Sequence, residues 1–163
     1  MRVTLIAAML AASLTASPAF PQTTVDPCGS PDGVRADNEA WASRSFDLFN
    51  KGDYRGAIAN VNACMPRWAE QAEALQASLA SASIPVGRVD GAARTAIYAN
   101  GILNDVGSSR WLVGRANEAL GDRAAAREAY TRCAQLTAAR TWDLRGWFWS
   151  PASDCTARLG SGE

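Results

Sequence analysis

The sequence GDYRGAIANVNACMP, residues 52–66, decides the fold. Asp53 is a residue type that caps helix N-termini, and the apolar side chains after it recur at the three- and four-residue spacing of one helix face. Pro66 lacks the N–H that a helix interior needs, so we expect it to end the helix. The stretch therefore predicts an amphipathic helix whose buried stripe is Tyr54, Ala57, Ile58, Val61 and Cys64.

A second amphipathic helix is predicted directly before this one. Trp41, Ser45, Leu48 and Phe49 recur at helical spacing, and the following Lys51-Gly52 is typical of a helix C-terminus. Two helices joined by so short a turn pack antiparallel. Residues 38–66 are thus predicted to form a helical hairpin.

The same pattern returns further along the chain. Gly121-Asp122 follows Gly52-Asp53 by 69 residues, counted from 52 to 121. When the two segments are aligned at this offset, the buried positions of the first copy match small or aromatic residues of the second, and a cysteine matches a cysteine. The equivalent residues are Ala126 for Ala57, Tyr130 for Val61 and Cys133 for Cys64, preceded by a helix with Leu112, Ala116, Ala119 and Leu120 on its apolar face.

These two copies resemble the tetratricopeptide repeat, a helix-turn-helix unit of about 34 residues. The matching segments are Asn38-Glu39-Ala40-Trp41, Gly52-Asp53-Tyr54 and Ala57-Ile58 in the first copy, and Val113-Gly114, Ala119-Leu120-Gly121-Asp122, Ala126 and Tyr130 in the last. Departures are Arg44 at a core leucine position, Asn117 at an aromatic one, and a closing proline that comes early at Pro66 and is missing after Cys133.

The resemblance implies an all-α fold: a short right-handed stack of about three antiparallel hairpins over residues 36–140. The middle hairpin rests on length alone, with apolar residues from Trp68 to Ala82, a break at Ile84-Pro85-Val86-Gly87 and a shorter helix from Asp90 to about Asn104. An irregular helical bundle is the alternative architecture.

The N-terminus has the pattern of a secretory signal. Arg2 precedes an apolar run from Val3 to Leu14, which is shorter than a membrane-spanning helix, and small residues at Ser17 and Ala19 suit a signal peptidase. We expect residues 1–19 to be removed and residues 20–35 to form an N-terminal cap segment; an uncleaved membrane anchor is the alternative. The predicted location is the bacterial periplasm or the exterior, with no membrane span after cleavage.

Export makes disulfides the simplest interpretation of the four cysteines, Cys28, Cys64, Cys133 and Cys155. Zinc is the alternative, but the chain has no CxxC pair and no histidine. If the repeats stack, equivalent points two repeats apart are about 16 Å or more from each other, too far for Cys64 to reach Cys133. The stack therefore predicts Cys28–Cys64 and Cys133–Cys155, one at each end.

Composition excludes several classes of function. Sixteen basic residues balance sixteen acidic ones, which argues against nucleic-acid binding, and the absence of histidine excludes Ser-His-Asp and Cys-His catalysis. No phosphate-binding loop or calcium-loop spacing is present, so we expect neither cofactor nor metal.

Lys51 beside a serine is the remaining route to an activated nucleophile, and it is more simply a solvated charge. Two carboxylate pairs suit glycoside hydrolysis, Glu70 with Glu73 and Glu118 with Asp122.

The C-terminal tail, residues 141–163, holds three of the six tryptophans: Trp142, Trp147 and Trp149. If the segment is extended, Trp147 and Trp149 share one face and Phe148 lies on the other. These rings either cover the end of the last helix or remain exposed as binding anchors. Gly146 and Pro151 are expected to frame a turn.

The resemblance implies a non-enzymatic adaptor that binds a protein or peptide partner of the cell envelope in a groove lined by the first helix of each repeat. The implied groove positions are Glu39, Ala42, Phe46 and Phe49 in the first copy and Ser108, Trp111, Arg115 and Glu118 in the last. Packing between helices is the alternative role for the aromatic ones. The alternative functions are a cell-wall glycan-binding protein or hydrolase, using Trp147, Trp149 and a carboxylate pair, and a structural subunit of an envelope complex.

Overall fold

The computed structural model describes residues 26–161, so the predicted signal segment 1–19 and the start of the predicted cap segment lie outside the described residues. Within this range the chain is mostly helical, with one small antiparallel sheet. The elements are α1 (Asp37–Asn50), α2 (Tyr54–Ser78), α3 (Gly91–Ala99), α4 (Gly101–Ala119), α5 (Arg123–Ala134), β1 (Thr141–Asp143), β2 (Trp147–Trp149) and α6 (Pro151–Gly160).

The two predicted hairpins are present and share one turn geometry. Gly52 and Gly121 both adopt the left-handed conformation, with φ of +81° and +79°. The aspartate after each glycine caps the next helix: Asp53 Oδ1 and Asp122 Oδ1 accept hydrogen bonds from the backbone N–H three residues later, at 2.9 Å and 3.0 Å. The predicted turns and caps are therefore confirmed at both positions, 69 residues apart.

The two hairpins are direct neighbours in space. Helix α4 packs against both α1 and α2, as well as against its own partner α5. The fully buried side chains at this junction include Trp41, Leu103 and Leu112. The expectation of a third hairpin between them is wrong, because the intervening residues extend α2, cross a loop and form the short helix α3.

Pro66 does not end α2, contrary to the prediction. The helix continues through it for another three turns to Ser78. Trp68 and Ala72, just beyond the proline, are buried, and the Trp68 ring lies 4.8 Å from that of Trp41. This burial of apolar surface offsets the hydrogen bond that a proline cannot donate, while Pro66 itself lies on the exposed side.

The helix predicted from Asp90 to about Asn104 is interrupted. Asn100 has non-helical φ and ψ of −93° and 32°, so α3 ends at Ala99 and a separate helix of 19 residues, α4, begins at Gly101. The segment before α3 joins the small sheet, since Gly87 and Phe148 exchange two backbone hydrogen bonds of 2.7 and 2.8 Å.

A buried arginine fixes this connecting segment. The guanidinium of Arg140 donates to the backbone carbonyls of Ile84 and Pro85 in the segment and to those of Thr137 and Ala139 beside it. Burial lowers the pKa of Arg140, yet the carbonyl acceptors satisfy its donors. No pattern in the sequence indicates this role, because two of the four acceptors are backbone atoms 55 and 56 residues away.

The tail forms a β-hairpin followed by a helix. β1 pairs antiparallel with β2, and Gly146 closes their turn with a φ of +101°. Phe148 is buried on one side of β2, as the alternation predicted. Helix α6 was not predicted; Ser150 caps it by accepting from Ser153 N, and Pro151 opens its first turn.

Both disulfides join the pairs expected from stacked hairpins. Cys28 is bonded to Cys64 and Cys133 to Cys155, with Cα atoms 5.4 and 6.1 Å apart. The first ties the N-terminal segment to α2, and the second ties α6 to α5. Two disulfides indicate an oxidising compartment outside the cytoplasm. Among residues 26–161, no helix combines the length and the apolar character needed to cross a membrane.

Candidate binding surface

Three aromatic side chains from three different elements lie in a row on the surface. The rings of Phe46 on α1 and Trp111 on α4 are nearly parallel, with centroids 6.3 Å apart. The Trp149 ring on β2 meets Trp111 edge-to-face at 5.0 Å. All three are half-buried, so each both packs and keeps solvent-facing area. We call Phe46, Trp111 and Trp149 the aromatic row.

Trp111, the centre of the row, is held by the tail helix. Its indole Nε1 donates to Asp154 Oδ2 at 2.6 Å, and Arg158 Nε donates to the same oxygen at 2.6 Å. Burial raises the pKa of Asp154, but the hydrogen bonds from Arg158 and Trp111 outweigh it and hold that pKa below its usual value. The carboxylate therefore stays ionised and fixes the orientation of the indole.

Charged side chains flank one end of the row. The Arg115 guanidinium lies over the Trp111 ring at 5.5 Å and pairs with Glu118 at 3.2 Å, while Arg158 pairs with Glu118 at 3.0 Å. Apolar rings thus border a patch of both charge signs. Such a combination suits a polypeptide segment that carries an apolar side chain next to a charged one.

Five of the ten predicted binding residues come together here: Phe46, Trp111, Arg115, Glu118 and Trp149 form the row and its charged end. Phe49 packs instead against Tyr54 at the α1–α2 turn, with ring centroids 5.2 Å apart. Trp147 shares the face of β2 with Trp149, and the guanidinium of Arg145 lies 4.5 Å from its ring centroid.

The other three predicted positions lie outside the row. Ala42 and Ser108 are buried, and Glu39 is exposed near Asp105.

Two residues at the site, Asp154 and Arg158, were missed from the sequence. They lie four residues apart on one face of α6, where they form an ion pair. The signal was available: Ser150-Pro151 is a favoured start of a helix, and Asp154 and Arg158 then fall at i, i+4. Their contact with Trp111 depends on the docking of α6 and has no signal in the sequence.

The carboxylates considered for hydrolysis already have structural partners. Glu73 pairs with Arg110 at 2.7 Å, Glu118 pairs with Arg115 and Arg158, and Asp122 caps α5. Only Glu70 has no ion pair or hydrogen bond among the described residues. Within residues 26–161, no group of three His, Cys, Asp or Glu side chains is arranged to hold a metal ion.

One largely buried carboxyl lies where α4 meets the start of α1. Asn38 Nδ2 donates to Asp105 Oδ2 at 2.6 Å. Burial raises the pKa of Asp105 to about 6; the Asn38 hydrogen bond opposes this shift and the nearby Glu39 charge adds to it. Asp105 therefore changes charge in the mildly acidic range while it remains inside the fold.

Comparison of the chain with protein-family models, with curated proteins and with solved structures finds no match. A functional conclusion must therefore come from the residues and their geometry.

Proposed function

We propose that this chain is a non-enzymatic adaptor of the tetratricopeptide-repeat type that binds a segment of a partner protein on the aromatic row. The observation that carries the proposal is the set of neighbouring, half-buried rings of Phe46, Trp111 and Trp149, contributed by three elements. Tryptophan and arginine are the residue types that dominate binding hot spots. The matching element of the partner is an apolar or aromatic side chain.

The two equivalent hairpins support the repeat part of the proposal. The turn glycines and capping aspartates make the same backbone contacts in both, and α4 packs on α1 and α2 as the first helix of a following repeat would. In this interpretation two repeats are consecutive in space, and residues 79–100 are an insertion between them.

Binding is favoured over hydrolysis by the state of the acidic side chains. Glycoside hydrolysis requires one carboxyl to donate a proton and another to act as base or nucleophile. In both candidate pairs at least one carboxylate is engaged by an arginine or by a helix N-terminus. Such engagement favours a structural role for these carboxylates over a catalytic one.

The proposed site of action is the periplasm of a bacterium. The disulfides require an oxidising environment to form, and the predicted signal at residues 1–19 supplies a route of export. Partners are then sought among proteins of the cell envelope.

A displayed library of short peptides, screened against the oxidised protein, tests the proposal. Binding of selected peptides would be measured for the wild type and for Phe46→Ala and Trp149→Ala, which truncate the two ends of the row. If Phe46 and Trp149 are hot-spot residues, each alanine substitution should weaken peptide binding by about tenfold or more. Leu144→Ala is the matched control, because this apolar side chain is 96% exposed in the same tail and lies outside the row.

Equal affinities for the row variants and the control would refute the proposal, provided that circular dichroism shows all variants folded. The alternative glycan-binding function is tested with purified cell-wall material and Trp147→Ala, since Trp147 keeps part of its ring accessible on the same face of β2. Retention on the wall material that Trp147→Ala abolishes would favour that alternative.

A further inference from the structure

A cavity of about 620 Å³ opens between α5 and α6, next to the α4–α5 turn. Its volume is typical of a site for a small molecule. The side chains that define its chemistry are Glu118 on α4, Arg123, Arg127 and Tyr130 on α5, and Arg158 and Leu159 on α6. The cavity is distinct from the aromatic row but adjoins its charged end, since Glu118 and Arg158 contribute to both.

Positive charge predominates in the lining. Arg123 and Arg127 lie one helical turn apart on α5 and are both exposed, and neither forms an ion pair within residues 26–161. Arg158 is neutralised by Glu118 at 3.0 Å and by Asp154 at 2.6 Å. Two guanidinium groups are thus left to bind an anion, and guanidinium is well suited to the planar fork of an oxyanion.

A buried tyrosine forms part of the cavity wall. Tyr130 is only 3% exposed, and its hydroxyl lies beside the Glu118 carboxylate with no accessible surface of its own. Burial, followed by the hydrogen bonding and charge of Glu118, raises the pKa of Tyr130, so the hydroxyl keeps its proton. A ligand in the cavity therefore meets the ring of Tyr130 and not its hydroxyl.

The disulfide Cys133–Cys155 holds the walls of the cavity in place. Tyr130 lies one helical turn before Cys133, and Arg158 lies one turn after Cys155, so the covalent bond fixes α5 and α6 beside each other at this level. The Arg158 guanidinium lies 5.8 Å from the centre of the Tyr130 ring. The two helices that line the cavity are therefore fixed relative to each other before any ligand arrives, which reduces the entropic cost of binding.

We propose that this cavity binds a small organic oxyanion, a phosphate or carboxylate group attached to an apolar body. Arg123 and Arg127 bind the charged group. Leu159 and Ala126 contact the apolar body. The proposal is independent of the aromatic row, because neither Arg123 nor Arg127 belongs to that surface.

Isothermal titration of the oxidised protein with phenyl phosphate, benzoate, inorganic phosphate and neutral phenol tests the proposal. The first two ligands differ in the oxyanion and show which group the site takes; phenol lacks the charge and inorganic phosphate lacks the ring. We expect phenyl phosphate or benzoate to bind at least about tenfold more tightly than phenol, because charge-assisted hydrogen bonds are the stronger ones.

Two variants and one matched control connect this binding to the cavity. Arg123→Gln combined with Arg127→Gln should weaken binding by about tenfold or more, whereas Tyr130→Phe, which removes only the inaccessible hydroxyl, should leave binding unchanged. Arg132→Gln is the control, since Arg132 is an exposed arginine of the same helix that pairs with Glu128 and does not line the cavity.

Equal weakening by the control and the double variant would show diffuse attraction to surface charge and overturn the proposal. Equal affinity for phenol and the anions, or no binding of either anion at millimolar concentration, would overturn it as well. Circular dichroism of the exposed-arginine variants shows whether each keeps its helical fold.

Discussion

Asp105→Asn is expected to stabilise the protein at neutral pH and to remove a defined part of its pH dependence. The buried carboxyl of Asp105 has a pKa of about 6 in the folded chain, against an ordinary value of 3.8. From about pH 4 to pH 6 the folded chain holds this proton while the unfolded chain has released it. The free energy of unfolding therefore falls as pH rises through this window.

The size of the effect follows from the pKa difference. Each pKa unit corresponds to about 1.4 kcal/mol, so ionising Asp105 costs the folded state up to about 3 kcal/mol above pH 6. Asparagine carries no charge and keeps an oxygen that accepts from Asn38 Nδ2. We expect the variant to be more stable than the wild type by about 1–3 kcal/mol at pH 7 and no more stable near pH 4.

Urea unfolding of the oxidised proteins at pH 4, 5, 6 and 7, followed by tryptophan fluorescence, measures this difference. Asp143→Asn is a control of opposite sign, because the hydrogen bonds from Arg145 lower the pKa of Asp143 and so stabilise the folded state above pH 4. Parallel pH curves for Asp105→Asn and the wild type would refute the reasoning, since the carboxyl would then ionise equally in both states.

Two further predictions concern the hairpins. Gly114→Ala should destabilise the fold by roughly 1–3 kcal/mol, because a Cβ there would lie 2.2 Å from Tyr130 Cε1; Gly160→Ala, with nothing within 4 Å, should change the urea midpoint little. Asp53→Ala and Asp122→Ala should each cost about 1 kcal/mol, since both side chains cap a helix in the same way. A clear difference between the two caps would show that the hairpins are not energetically equivalent.

The local predictions that the structure confirms are those in which the residue type itself determines the backbone conformation or the helix cap. A glycine at positive φ followed by an aspartate cap specifies a helix turn wherever it occurs, so Gly52-Asp53 and Gly121-Asp122 predicted both hairpins. Four cysteines behind a predicted signal segment predicted disulfides, and the distance expected between stacked hairpins selected the pairs. The turns and caps need only neighbours in sequence, whereas the pairing also needed the expected stacking.

The candidate site was predicted in part. Periodicity and the family resemblance selected Phe46 and Trp111, but their alignment with Trp149 requires the tail to fold back across α4. Arg123 and Arg127 had no distinguishing pattern, because two arginines at i, i+4 on a helix are ordinary until the tertiary structure places a cavity beside them.

The sequence alone determined the helical class, the two hairpins and their caps, because short-range geometry fixes each of these, and the expected stacking of the hairpins then predicted the disulfide pairs. Tertiary structure alone decided that α2 runs through Pro66, that Asn100 divides two helices and that Arg140 is buried against carbonyls. In each of these places, packing against residues that are distant in sequence outweighs a local preference of a few kcal/mol. A local sequence pattern contains no information about which distant residues will pack there.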